Sequence, residues 1–138
     1  MMREQLMMFA HYGEPIVEHD CSSMDLSSTA LRGGIFQKCR FVGSVLSGAD
    51  LREAFFDECD FSGADLSGAQ LRGATLNKCR LVGAQASEAS LRNCNFIECD
   101  FSKAQFPRVD LNLANLVRST LDGADFSQAQ LDRANCID

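Results

Sequence analysis

Residues 57–81 read DECDFSGADLSGAQLRGATLNKCRL, and two periods are written into them at once. Phe61, Leu66, Leu71, Leu76 and Leu81 recur every five residues, each with a small residue two places before it. DECDF at 57–61 returns twenty residues later as NKCRL, with Glu58 and Asp60 replaced by Lys78 and Arg80. Working outward, the shorter period keeps its phase from Leu26 to Cys136, where 21 of 23 positions are Leu or Phe and only Ala86 and Cys136 differ. The small residue precedes 20 of those 23 positions, with Met24, Thr29 and Val109 as the exceptions. A period of five fits neither the 3.6 of a helix nor the 2 of a strand, so each unit is a short extended piece followed by a corner. The longer period brings back QKCRF at 37–41 and IECDF at 97–101, and also Arg32, Arg52, Arg72 and Arg92. Twenty divided by five is four: one coil has four sides, and residue n lies over residue n+20.

The composition agrees with a filled, single-domain column. Of 138 residues, 46% are hydrophobic and 23% charged, which argues against disorder. No apolar run approaches the ~18 residues of a membrane span. MMREQLMMFAHYGEP at 1–15 lacks the small-residue cleavage site of a secretory signal, so a cytoplasmic location and no membrane association are expected. Seven cysteines without a C-x-x-C suggest neither a disulfide framework nor a zinc site. The net charge of -6 disfavours direct nucleic-acid binding.

The units GADLREA at 48–54, GADLSGAQLRGA at 63–74 and LDGADFSQAQLDRA at 121–134 resemble those of the pentapeptide repeat proteins. That resemblance covers residues 21–138 and implies an all-β fold, a right-handed quadrilateral β-helix. The handedness is implied by the resemblance alone. Four units per coil give about 5.75 coils, standing roughly 28 Å tall at the ~4.8 Å spacing of hydrogen-bonded strands. Leu31, Leu51, Leu71, Leu91, Phe41, Phe61 and Phe101 are expected to point inward, with Cys39, Cys59, Cys79 and Cys99 in the small inward position as apolar filler. Ala86 underfills its site, and Phe106 in the next coil is the expected compensation. Residues 1–20 form a lead-in: Met2, Leu6, Phe9 and Ala10 have helical spacing before Gly13 and Pro15, which predicts a short helix capping the first coil. At the other end nothing in the sequence covers Cys136, so that end is expected to be blunt or to meet another subunit.

Four outward features are candidate sites. Lys38, Glu58, Lys78, Glu98 and Arg118 form one column, and Arg40, Asp60, Arg80 and Asp100 another, each alternating in sign. Opposite neighbours stabilise the stack and pin its register, because a slip of one coil sets like on like. Arg32, Arg52, Arg72 and Arg92 instead stack four like charges, an arrangement folding does not require, and form a possible anion- or partner-binding strip. Ile97, Val117 and Ile137 form an apolar column on the side whose earlier coils carry Ile35 and Phe55. Leu113 extends it around the corner, giving a possible partner surface or end-to-end homodimer contact near the C-terminal coil. No catalytic constellation assembles: the two histidines, His11 and His19, precede the repeats, and no phosphate loop, metal set or cofactor motif is present.

The expected function is therefore non-enzymatic: a solenoid column that binds another protein of unknown identity. An alternative follows from the resemblance, since some pentapeptide repeat proteins mimic DNA and bind type II topoisomerases such as DNA gyrase, inhibiting or protecting them. This chain departs from that pattern in having no C-terminal dimerisation helix, no loop interrupting its repeats, and alternating rather than uniformly acidic faces.

Overall fold

A computed structural model describes residues 1–137; Asp138, the last residue of the expected β-helix, lies outside the described residues. One helix, α1 (Arg3–His11), precedes seven short strands: β1 (Ile16–Val17), β2 (Ile35–Gln37), β3 (Phe55–Asp57), β4 (Thr75–Asn77), β5 (Asn95–Ile97), β6 (Asn115–Val117) and β7 (Asn135–Ile137). They form one all-parallel sheet in chain order, and every pair is offset by twenty residues, as in Phe36↔Phe56 and Leu76↔Phe96. The other three sides carry single parallel bridges with the same offset: Arg40↔Asp60, Val45↔Asp65 and Asp50↔Gln70. The molecule is thus a four-sided parallel β-solenoid of about six turns, one residue type stacked on the next.

The corners explain why the period is five. From Glu18 to Arg133 every fifth residue has a positive φ, between 49° and 73°, whether it is Gly63, Lys78 or Leu113. A left-handed residue there turns the chain from one side of the coil to the next, as the hydrogen bond from Ala54 N–H to Leu51 O at 3.1 Å illustrates. The strain of a non-glycine corner is offset by cross-coil bonds, such as Glu58 N–H to Asn77 O at 2.8 Å.

Inside, the expected core is buried: Leu31, Leu51, Leu71 and Leu91 are at most 2% exposed, as are Phe41, Phe61, Phe101 and the four stacked cysteines. Phe36 stacks on Phe56 and Phe41 on Phe61, each with ring centroids 4.9 Å apart, and the two columns meet edge to face. Phe106, one coil along from Ala86, packs between Phe101 and Phe126 at 5.7 and 5.5 Å.

At the N-terminal end α1 lies over the first coil through Leu6 and Ala10, with Met7 and Phe9 partly buried. Met2 does not join that face as its spacing suggests. It is the N-cap, outside the helix and 66% exposed, with its N–H donating to Gln5 Oε1 at 2.7 Å. Arg3 holds the helix down by donating to Ser27 O at 2.9 Å, and Gly13 and Glu14 close its C-terminus on Ala10 O and Phe9 O. The last described coil is open: Leu121 and Leu131, inward by register, are 40% and 53% exposed, and Cys136 is exposed beside them.

Candidate interaction faces

The interior is filled, so function must be sought on the outward columns. Arg32, Arg52, Arg72 and Arg92 lie on one side, each a coil from the next, as Ala30↔Asp50, Asp50↔Gln70 and Gln70↔Ser90 fix the register. Two of them have carboxylate partners. Arg52 grips Asp50 through Nε and Nη2, both at 2.8 Å, and this pairing holds the Asp50 carboxyl below its ordinary value. Arg32 reaches Glu53 at 3.1 Å. Arg72 and Arg92 have no ion-pair partner among the described residues. The corner beside Arg72 is Gly73, which leaves an open groove of about 510 Å³ lined by Arg32, Arg52, Glu53, Arg72, Gly73 and Asn93. A second groove, about 400 Å³, continues past Arg92 to Asn112, Leu113, Asp132 and Arg133. Leu113 therefore belongs with the arginine face, and the column of Asn95, Asn115 and Asn135 separates it from Val117.

The two alternating columns also stack as the spacing requires, but they pair less than the expectation holds. Lys38, Glu58, Lys78, Glu98 and Arg118 are corner residues, and of their steps only Glu98–Arg118 closes to an ion pair, at 3.2 Å. Arg40, Asp60, Arg80 and Asp100 are bridged in sequence, yet no step between them is an ion pair among the described residues. The aspartates are committed elsewhere: Asp60 and Asp100 each accept the N–H of the serine two residues on at 2.9 Å and its hydroxyl at 2.6 Å. This contact, with Arg80 as a smaller influence, holds the Asp100 carboxyl below its usual range.

The apolar column is in register through Ile97↔Val117↔Ile137, half-buried at Ile97 and Val117 and 58% exposed at Ile137. Ile35 and Phe55 are half-buried on the same side, two residues back along their strands. In the later coils the Ile35 and Phe55 column continues through Thr75 as an amide ladder that sequence reasoning missed: Asn115 Nδ2 donates to Asn95 Oδ1 at 2.8 Å, and Asn135 to Asn115 at 3.0 Å. The twenty-residue spacing of these asparagines was the signal.

The cysteines do more than fill space. Cys39, Cys59, Cys79 and Cys99 each donate S–H to the inward strand carbonyl of the preceding coil, at 3.1–3.4 Å. Burial pushes Cys21 up to about 11 and Cys94 up to about 12. In the ladder, neighbouring thiols and burial drive Cys39 and Cys79 up. Burial opposes ionisation of the column as a whole, and each S–H is already donated to a backbone carbonyl. Among the described residues no cluster of side chains could hold a metal ion, and no helix is long and apolar enough to cross a membrane.

Comparison with known proteins matches the architecture. The model for "pentapeptide repeats" matches eight copies, in segments 25–63, 39–77, 79–118 and 110–138. No curated protein matches. Among solved structures, a pentapeptide repeat protein from the Arabidopsis thaliana thylakoid lumen is 29% identical with a TM-score of 0.69, covering 72% of this chain and 70% of its own. A trypsin-treated variant of QnrB1, a plasmid-mediated fluoroquinolone resistance protein, is 30% identical with a TM-score of 0.53 over 88% of this chain. The chain spans 65% of the length of that structure. With the five-residue unit, the four-sided coil and the family match in agreement, the chain belongs to the pentapeptide repeat family.

Proposed function

We propose that this protein is a non-enzymatic interaction column, and that its arginine face docks an acidic segment of a partner protein. One observation carries the reading: Arg72 and Arg92 are stacked on one face, one exposed and one half-buried, beside open grooves and without a carboxylate of their own. Stacked guanidinium groups repel, and an arriving carboxylate relieves that repulsion while forming forked hydrogen bonds. A filled solenoid offers partners flat faces rather than a cleft, which fits binding better than catalysis. An end-to-end homodimer belongs to the same proposal, formed where Leu121, Phe126, Leu131 and Ile137 lie open in the last coil. A cytoplasmic setting is also part of it, in keeping with seven cysteines that are all free. Titrating a fluorescent Asp/Glu-rich peptide against the parent and the Arg72→Glu, Arg92→Glu variant tests the main reading. Binding that is weakened in the variant supports it; equal binding by the two proteins refutes it.

A second reading, action on a type II topoisomerase, is favoured by the likeness to QnrB1, a fluoroquinolone resistance protein. The alternating charges of this chain argue against a DNA mimic, whose face would be uniformly acidic. A gyrase supercoiling assay with and without a fluoroquinolone decides it, since an unchanged reaction discards this reading.

A further inference from the structure

The side that follows the strand face is banded. Coil by coil its corner and first outward positions carry Glu18 and Asp20, then Lys38 and Arg40, Glu58 and Asp60, Lys78 and Arg80, Glu98 and Asp100, and finally Arg118 with Thr120. Each band holds charges of one sign, and the sign inverts at every coil, about 4.8 Å further along the axis. Only Glu98–Arg118 closes an ion pair along it, so Lys38, Arg40, Lys78 and Arg80 have no carboxylate within ion-pair distance among the described residues. The rest of the side is low. The outward position after the first five bands is Ser22, Val42, Ser62, Val82 or Ser102, with Asp122 after the sixth, and the far corner at the middle of the column is bare at Gly43, Gly63 and Gly83 before Lys103.

We infer that this banded side is a self-complementary docking surface, on which a second copy of the chain lies antiparallel. With the two columns lying along the same direction, identical faces can meet about a twofold axis in only two ways. If the axis runs along the column, each band meets the same band of the other copy, and every contact is like on like. If the axis runs across the column, heights invert while lateral positions are kept. There are six bands, an even number, so with the axis midway between the third and fourth every band meets one of opposite sign. Glu58 then faces the partner's Lys78, and Asp60 the partner's Arg80. Lys38 faces the partner's Glu98, Arg40 the partner's Asp100, and Glu18 the partner's Arg118. Each of these pairs occurs twice. Gly63 faces the partner's Gly83 beside the axis, where bare corners allow the faces to approach.

The contact serves the unmet lysines and arginines without disturbing the serine hydrogen bonds of Asp60 and Asp100, because a carboxylate has further lone pairs to offer. A face five residues wide and about 28 Å tall offers roughly 400 Å² per partner from strand dimensions, well short of the ~800 Å² of a stable complex. The dimer is therefore of the weak, salt-sensitive kind, governed by charge.

Sedimentation velocity on the full chain tests this without any variant. The weight-average coefficient is expected to rise with protein concentration more steeply at about 20 mM salt than at about 0.5 M salt, where only an apolar end-to-end contact would remain. Two reciprocal variants then test the pairing. Glu58→Lys with Asp60→Arg makes the third band positive, and Lys78→Glu with Arg80→Asp makes the fourth negative. Each variant alone sets like on like at the axis and is expected to self-associate about tenfold or more weakly than the parent. Mixed in equimolar amounts, their altered bands are opposite again, and association returns. Three results overturn the inference: a parent that stays monomeric at low salt, association that persists at high salt and ignores band reversal, as an apolar end-to-end contact would, or two folded variants that remain apart when mixed. These outcomes are independent of peptide binding to Arg72 and Arg92, which lie on a different side.

Discussion

At the scale of single residues, the solenoid tolerates almost anything outward and almost nothing inward. Gly34 shows this limit. It occupies the small inward position that is Ala54, Ala74 and Ala114 in other coils, but a Cβ there would lie 2.6 Å from Phe36 Cε2 and 3.1 Å from Leu31 O. Gly34→Ala is therefore expected to lose about 1–3 kcal/mol by overpacking, seen as a lower Tm, and an unchanged Tm would mean that Phe36 swings aside without penalty. The cysteines give a second residue-level expectation. Six are buried and one, Cys136, is exposed, so alkylation of the native protein followed by mass spectrometry should label Cys136 alone. Rapid labelling of Cys59 or Cys79 would show that the core opens locally.

At the scale of elements, the chain alternates rigid corners with short bridged pieces, and its helix acts as a lid. Leu6 is fully buried against the first coil, while Met8 on the same helix and its C-cap Tyr12 stay exposed. Leu6→Ala should lose about 2–5 kcal/mol, since it opens a cavity over an otherwise exposed coil end. Amide exchange is the check: the loss should appear first as faster exchange in residues 21–40, whereas uniform acceleration along the column would mean that the lid is not a separable element. The Asp-to-serine turns have a pH signature. The Ser27 hydroxyl and N–H lower the Asp25 carboxyl, the Ser102 contacts lower Asp100, and Arg52 lowers Asp50. A carboxyl depressed in the folded state contributes stability above its unfolded value near ~3.9, and that contribution is lost as pH falls through the lower folded value. The Tm should accordingly hold between about pH 7 and 5 and fall below about pH 4, and a Tm rising towards acid would contradict the turns' role.

At the scale of the whole molecule, the sequence displayed the architecture and concealed most of the contacts. The five- and twenty-residue periods gave the number of sides, the register and the core, because in a solenoid each residue's neighbours are fixed by arithmetic. The periods do not report where a side chain spends its hydrogen bonds. Asp60 could be placed beside Arg80, but its capture by Ser62 depends on a rotamer chosen within one unit. The thiol donors and the asparagine ladder were equally hidden, although their spacing was in view. Leu113 is a corner residue that faces two sides at once, so its lining of the groove beside Arg92 is not legible in the period.

The central claim is that a flat, charged face of this column binds a partner protein. Its most direct test is quantitative affinity capture from the native host with three proteins: the parent, Arg72→Glu with Arg92→Glu, and Val117→Asp with Ile137→Asp, all shown to fold by circular dichroism. The account predicts that at least one protein is captured stoichiometrically by the parent, is lost with the arginine variant, and is retained by the apolar variant. Capture that is unchanged by reversing Arg72 and Arg92 but abolished at Val117 and Ile137 would contradict it, placing recognition at the end of the column instead of along its face.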